Sequence, residues 1–415
     1  MALLDPLTSI IISFILLGVL LYKRVNLGIT LNATALLMAA LALDWTQIPT
    51  VIYNTSVDLL TVSTVLATFG IMLLSVLYKE TGVINRLSKS IGSIIKSPKV
   101  VMAVLPAIIG LLPVAGGALM SAPLVDTEAE KLKLKPEKKA YINLWFRHTI
   151  FPVYPLSPPI IVTVALTGVV LPAIILRQIP VVIVMVIVGY FIGLWKISTG
   201  KNKIDAVEPR KNGSDGREFL VAFSPLLVTI IVGIALSSVI SAPSQQGFDV
   251  LIATLVGLAV LIGISKLNFR TFAKPFKTWG IYGVTLATYG AFLLRKTVEQ
   301  PAIRQLFQGF VAGGTIDIVL LLILVPAFLG VVTGSPVSGV AISVPIFAGI
   351  FATFTAKVAA LIYISAYLGY TVAPTHLCFT FTADYFKCPL GKMYKYVIPS
   401  FLITFTAAIL VYFLL

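Results

Sequence analysis

Arg147 and His148 lie in an apolar stretch, just ahead of FPVYPLSPP (151–159). A charge buried in such a stretch is costly and is a functional candidate by default. A guanidinium there can hold a carboxylate or phosphate. The competing reading has Arg147 reaching back to the lipid headgroups beside Trp145. His148 and His376 carry imidazoles that titrate near neutral pH, so they could hold solute or carry a proton. A hydrogen-bonded structural role is the alternative for each.

Small and hydroxylated residues gather in LLPVAGGALMSAP (111–123), FPVYPLSPP, TGSPVSG (333–339) and TVAPTH (371–376). From these segments and their flanks come the other candidate solute contacts. They are Pro113, Gly116, Gly117, Ser121, Thr149 and Ser157 in the first half, and Ser335, Ser338, Gly339, Ser343, Thr371 and Thr375 in the second. Small residues let backbone approach a ligand, and hydroxyls add hydrogen bonds. Close helix packing uses the same residue types. Of the acids near apolar runs, Asp317 and Asp384 are candidates for a coupling ion or proton, while Asp58 fits the membrane interface. Cys378 and Cys388 have no metal-ligand spacing around them and imply no disulfide framework. Neither HExxH nor GxSxG is present, so an enzyme is not expected.

The elements that must position these groups are apolar helices. Of the 415 residues, 58% are hydrophobic and 11% charged, with a mean hydropathy of +1.01; soluble domains carry about 25% charged residues. Runs such as 10–22, 58–78, 175–195, 219–240 and 397–415 approach or reach the length of a spanning helix. They do not alternate as barrel strands would. The net charge of +15 sits in a few short polar stretches, which is a positive-inside pattern rather than a nucleic-acid footprint. Asp5 precedes the first apolar run and Lys23 and Arg24 follow it, which reads as a retained first helix with its N-terminus outside.

Walking the chain by that rule gives crossings at about 7–22, 26–43 and 58–78, with 44–57 an outer loop. Residues 100–127 then have basic stretches on both sides, so they must enter and leave by one face. Pro113 and the Gly116 and Gly117 pair break the segment into arms of about 13 residues, or about 20 Å each. Such arms are too short to cross, which predicts a re-entrant hairpin. TEAEKLKLKPEKK (127–139) reads as a surface helix. The next crossing, about 138–170, is broken by four prolines at 151–159, with Ser157 and Pro158 opening its second half. A crossing at about 173–195 leads to a basic cytoplasmic linker, 197–217.

The same plan then repeats. LATFGIMLL (66–74) returns as LATYGAFLL (286–294), and PAIIG (106–110) as PAFLG (326–330), at a shift of 220. Beyond a small insertion the shift is 222, which sets Gly117, Ser121, Tyr141 and Thr149 against Gly339, Ser343, Tyr363 and Thr371. Further crossings fall at about 219–240, 248–265, 278–296 and 392–414, with a hairpin at about 314–349 and a broken crossing at about 352–385. Each repeat, 1–196 and 218–415, thus has five crossings and one hairpin. Five is odd, so the second copy is inverted, with about ten spans in all and both termini outside. This assignment places 25 of the 31 lysines and arginines inside and five outside, with Arg147 in a span.

At LLPVAGGALMSAP the sequence resembles an uncharacterised family of integral membrane proteins, domain of unknown function 401, grouped with the ion-transporter superfamily. Relatives there include gluconate, citrate and dicarboxylate carriers and sodium/proton antiporters. The resemblance implies inverted repeats, hairpins facing opposite sides, and a solute site at the tips and broken helices. Dicarboxylate carriers bear Ser-Asn-Thr at those tips; this chain has Gly116, Gly117 and Ala118 in one and Ser338, Gly339 and Val340 in the other. The expected function is a secondary active transporter in the cell (inner or cytoplasmic) membrane. It would take up or exchange a small organic or inorganic anion, coupled to Na+ or H+ with no other cofactor. Free helix amides at the breaks would attract the anion, and free carbonyls the cation. A cation/proton antiporter is the main alternative, and a channel a lesser one. Expected partners are the solute and the bilayer, with a homodimer admissible and nucleic acid excluded.

Overall fold

The computed structural model describes residues 2–112, 117–197, 214–239, 247–312 and 317–415. It is helical, with no strand among the described residues. The first half comprises α1 (Pro6–Tyr22), α2 (Leu27–Ala42), α3 (Gln47–Val57), α4 (Leu59–Glu80), α5 (Val83–Ile94), α6 (Pro98–Gly110), α7 (Ala118–Lys131), α8 (Pro136–Thr149), α9 (Pro158–Thr167) and α10 (Leu171–Gly189). The second comprises α11 (Ser214–Val239), α12 (Phe248–Ser265), α13 (Phe269–Ala273), α14 (Trp279–Val298), α15 (Pro301–Ala312), α16 (Ile318–Thr333), α17 (Pro336–Ala348), α18 (Ala356–Val372), α19 (Leu377–Tyr385) and α20 (Leu390–Leu414). Among the described residues seven helical stretches are long and apolar enough to cross a membrane, which marks a multi-pass membrane protein. The three other predicted crossings are α1 and α2, apolar but short, and α14, which carries Arg295 and Lys296 in its last turn.

Burial separates the centre from the rim. In an 18-residue apolar window of each, Pro136–Thr167 and Ala356–Tyr385 are 78% buried, against 22% for Leu390–Leu414. The two broken helices therefore form the core, and α10, α11, α12 and α20 turn apolar side chains outward. Proline sets the first break: α8 ends at Thr149, a 3-10 turn spans Phe151–Val153, and Pro158 opens α9. Ser157 stands at the N-cap position, but its hydroxyl makes no capping bond. In the second half α18 ends at Val372 and α19 opens after His376.

Helices α6 and α7 form a helical hairpin, as do α16 and α17. The second turns tightly: Gly334 takes φ +61°, which a glycine adopts without strain, and the Ser335 hydroxyl caps the Ser338 amide at 3.3 Å. Pro113 and Gly116 at the first tip, and most of the linker 197–217, lie outside the described residues.

Three segments differ from the sequence reading. Residues 44–57 are mostly helix: Val51 and Thr55, four apart, bury one face of α3. The basic stretch after Lys79 contains α5, whose Val83, Ile84, Leu87 and Ile91 face the core. No separate surface helix spans 127–139, because α7 runs on to Lys131 and Pro136 starts α8.

Helices α4 and α14, which carry the repeated LAT(F/Y)G sequences, pack antiparallel. At the end of α4, Glu80 pairs with Lys274, just ahead of α14, at 3.1 Å. At the other end Lys296 and Gln300 share a cavity with Thr50 and Asn54, just ahead of α4. Arg86 also pairs with Glu218, so these basic segments cluster at the Glu80 end.

Candidate functional site

Arg147 is 4% exposed and points into the first hairpin. Its Nη2 donates to the Leu112 carbonyl at 3.3 Å, and Nη1 has no partner among the described residues. A Cβ added to Gly117 would land on this guanidinium, so the glycine leaves the room that Arg147 occupies. The side chain therefore does not reach out to headgroups; α8 is buried around it from Ala140 to Thr149.

His148 points to the other repeat. Its Nδ1 donates to the Leu144 carbonyl at 2.6 Å, and the Nε2 lone pair meets the Tyr370 hydroxyl at 3.2 Å. Tyr370 is the residue matched to His148 at the shift of 222. Thr68 and Thr288, matched at 220, likewise share a hydrogen bond at 3.5 Å. The His376 ring stands edge-on to His148, with centroids 4.8 Å apart, and both His376 ring nitrogens are buried without a partner among the described residues. The two histidines thus meet where the two broken helices meet.

A second polar group joins the hairpin arm α7 to α8 and α19. The Ser121 hydroxyl donates to Asn143 Oδ1 at 2.7 Å, and Asn143 Nδ2 reaches the Ala118 carbonyl at 3.1 Å and Thr382 Oγ1 at 3.3 Å. Sequence reasoning missed Asn143 and Thr382; an amide between Ile142 and Leu144 was the available signal. The matched pair in the other repeat is looser. Ser343 bonds the Gly339 carbonyl at 2.5 Å, and the buried Ser365 hydroxyl has no partner among the described residues. Replacing Asn143 with Leu removes the donor to Thr382 and leaves Ser121 with its 3.2 Å bond to the Ala118 carbonyl, so stability should fall by about 1–3 kcal/mol. Denaturation in detergent checks this, and an unchanged midpoint would mean that the network contributes nothing.

The remaining candidates divide. Thr149 and Thr371 bond back to their own helices, at 2.8 and 2.6 Å. Ser335 and Ser338 line a cavity of about 560 Å³ with Thr333, Thr375 and Leu377, which opens toward Arg24 and Asn26. Thr375 also bonds the Val331 carbonyl at 3.2 Å, tying the second tip to the second break. The acids stand apart. Asp317 is exposed and caps α16 through the Val319 and Leu320 amides, at the opposite end of that helix from the tip. Asp384 is exposed near the end of α19. The buried carboxylate among the described residues is Asp249, which accepts from the Gly247 and Val250 amides at the start of α12.

The fold is similar to that of Neisseria gonorrhoeae MtrF, whose structure is reported as illuminating a class of antimetabolite efflux pumps. The TM-score is 0.54 at 14% identity, over 88% of this chain and 83% of that one. At this identity the likeness is one of fold. No curated protein matches the chain. Residues 4–415 match the model of the family described as "Protein of unknown function (DUF401)", and the chain belongs to that family.

Proposed function

We propose that the protein is a secondary active transporter that moves a small organic or inorganic anion across the cell membrane, coupled to Na+ or H+. Arg147 carries this reading. It is buried, it lies against Leu112 and Gly117 of the first hairpin, and among the described residues one arm of its guanidinium lacks a partner. A buried charge without full pairing is expensive, and an anionic solute at the tip would complete it.

Alternating access needs two halves that rock about a fixed site. Contacts between matched residues, Thr68 with Thr288 and His148 with Tyr370, are what a two-fold axis through the site produces. The antiparallel packing of α4 and α14 supports an axis lying in the membrane plane, hence inverted repeats and hairpins re-entering from opposite faces. The cavity from the second tip toward Arg24 fits a site open to the basic, cytoplasmic side. The competing antiporter reading needs a buried carboxylate to exchange a cation for a proton. Asp317 and Asp384 are exposed, and Asp249 is engaged with the backbone at a helix start.

A thermal-shift screen of the purified protein against anions, with and without Na+, tests it. A ligand at a hundred times its Kd stabilises the native state by about 2.7 kcal/mol, which appears as a rise in Tm. A hit should then be transported into proteoliposomes, and swapping ion gradients reads the coupling and the direction. If no anion shifts the wild type beyond an Arg147→Met control, the anion reading fails.

A further inference from the structure

We propose that His148, His376 and Cys378 form a binding site for a borderline transition-metal dication of the Zn2+ class, placed across the boundary between the repeats. All three side chains are buried, and their ligand atoms lie within 4.8 Å of one another. One imidazole comes from the end of α8 in the first half; the other, with the thiol, comes from the start of α19 in the second. Two imidazoles and a thiolate suit Zn2+ and its neighbours in the d-block, and not Na+ or Mg2+.

The second-sphere arrangement agrees with this. The Leu144 carbonyl takes the Nδ1 proton of His148 at 2.6 Å, which makes Nε2 the lone-pair nitrogen; the Tyr370 hydroxyl donates to it at 3.2 Å, and a bound metal would take that hydroxyl's place. Metal-bound histidines are commonly oriented by such a bond on the other nitrogen. His376 is 2% exposed and neither ring nitrogen has a hydrogen-bond partner among the described residues. It offers a lone pair whichever tautomer it holds. Metal–nitrogen and metal–sulfur bonds of about 2.0–2.3 Å set tetrahedral ligand spacings near 3.5 Å, so small side-chain rotations close the site. Thr375 and Leu377, which flank His376 in the chain, line the cavity that opens toward Arg24, so that cavity ends one residue from the cluster. Three protein ligands leave a fourth position for water or an anion. An anion there would also offset the nearby Arg147 charge. The proposal stands on this geometry and not on the transport reading.

Titrating Co2+ into the purified full-length protein in detergent tests it, because tetrahedral thiolate-bound Co2+ gives visible d–d bands and a near-ultraviolet charge-transfer band. The expected result is saturation at one ion per chain, displacement by Zn2+, and a rise in Tm with Zn2+. Cys378→Ser, a substitution of similar size, should lose the charge-transfer band and the Zn2+-dependent rise while keeping the metal-free Tm. Cys388→Ser should keep both signals. The proposal is overturned if the wild type gives no band, if Cys378→Ser retains it, or if Cys388→Ser removes it.

Discussion

Arg147→Met should abolish anion binding and transport while leaving the protein at least as stable as the wild type. The two effects separate because the same buried charge costs the empty protein and serves the bound one. Among the described residues its guanidinium has one hydrogen bond, at 3.3 Å to the Leu112 carbonyl, and Nη1 has no partner. Replacing an incompletely paired buried charge with an apolar side chain of similar length is often neutral or stabilising by 1–4 kcal/mol. Losing a buried charge that pairs with a ligand costs about 2–5 kcal/mol of binding, or roughly 30-fold to several-thousand-fold in Kd. Arg147→Lys should also bind weakly, since a point charge does not replace the planar fork. Melting curves and proteoliposome flux, measured on the same preparations, give both readouts. Full transport by Arg147→Met would remove the basis for the anion reading. A large fall in Tm would instead make Arg147 a strut for the first hairpin.

The breaks in the core helices were legible because proline and glycine act locally. Pro152, Pro155, Pro158 and Pro159 deny amides to any continuous helix, so the end of α8 and the start of α9 are written in the sequence. Helices α3 and α5 were not legible in the same way. Each is short and half polar, and the count of charges drew attention away from the spacing of Val51 with Thr55 and of Leu87 with Ile91. The repeat register carried more than was read from it. It already matched Thr149 with Thr371, and one step back it sets His148 against Tyr370, a pair in contact. Cys378 was beyond reach, because its nearness to His148 depends on how α19 packs beside α8 and not on any spacing along the chain. Asp317 has a simpler local role beside the one expected of it. An acid ahead of an apolar run is first a helix cap, and its carboxylate holds the Val319 and Leu320 amides at 2.7 and 3.1 Å.

Gly117→Ala and Gly369→Ala should give opposite phenotypes, although both add one methyl group to a buried glycine. At Gly117 the three atoms nearest the new Cβ all belong to the Arg147 guanidinium. That group ends a flexible side chain and can swing aside, so the fold should keep nearly its wild-type Tm. The swing removes the guanidinium from the first tip, and transport should fall toward the level of Arg147→Met. At Gly369 the new Cβ meets the backbone carbonyl of Ala327, across the α16–α18 contact. Backbone cannot yield without parting the two helices, and overpacking of this kind costs about 1–3 kcal/mol, occasionally more. Gly330 and Gly110 stand against backbone carbonyls in the same manner, of Ala366 and Arg147, so close packing of hairpin on broken helix is a property of both repeats. Gly369→Ala should therefore lower Tm and yield, with transport per folded molecule much less affected. Measuring Tm and flux for both variants decides the matter. Wild-type flux in Gly117→Ala would mean that the Arg147 position does not matter to the solute. An equal loss of Tm in both variants would mean that the first tip is packed for structure rather than shaped around the guanidinium.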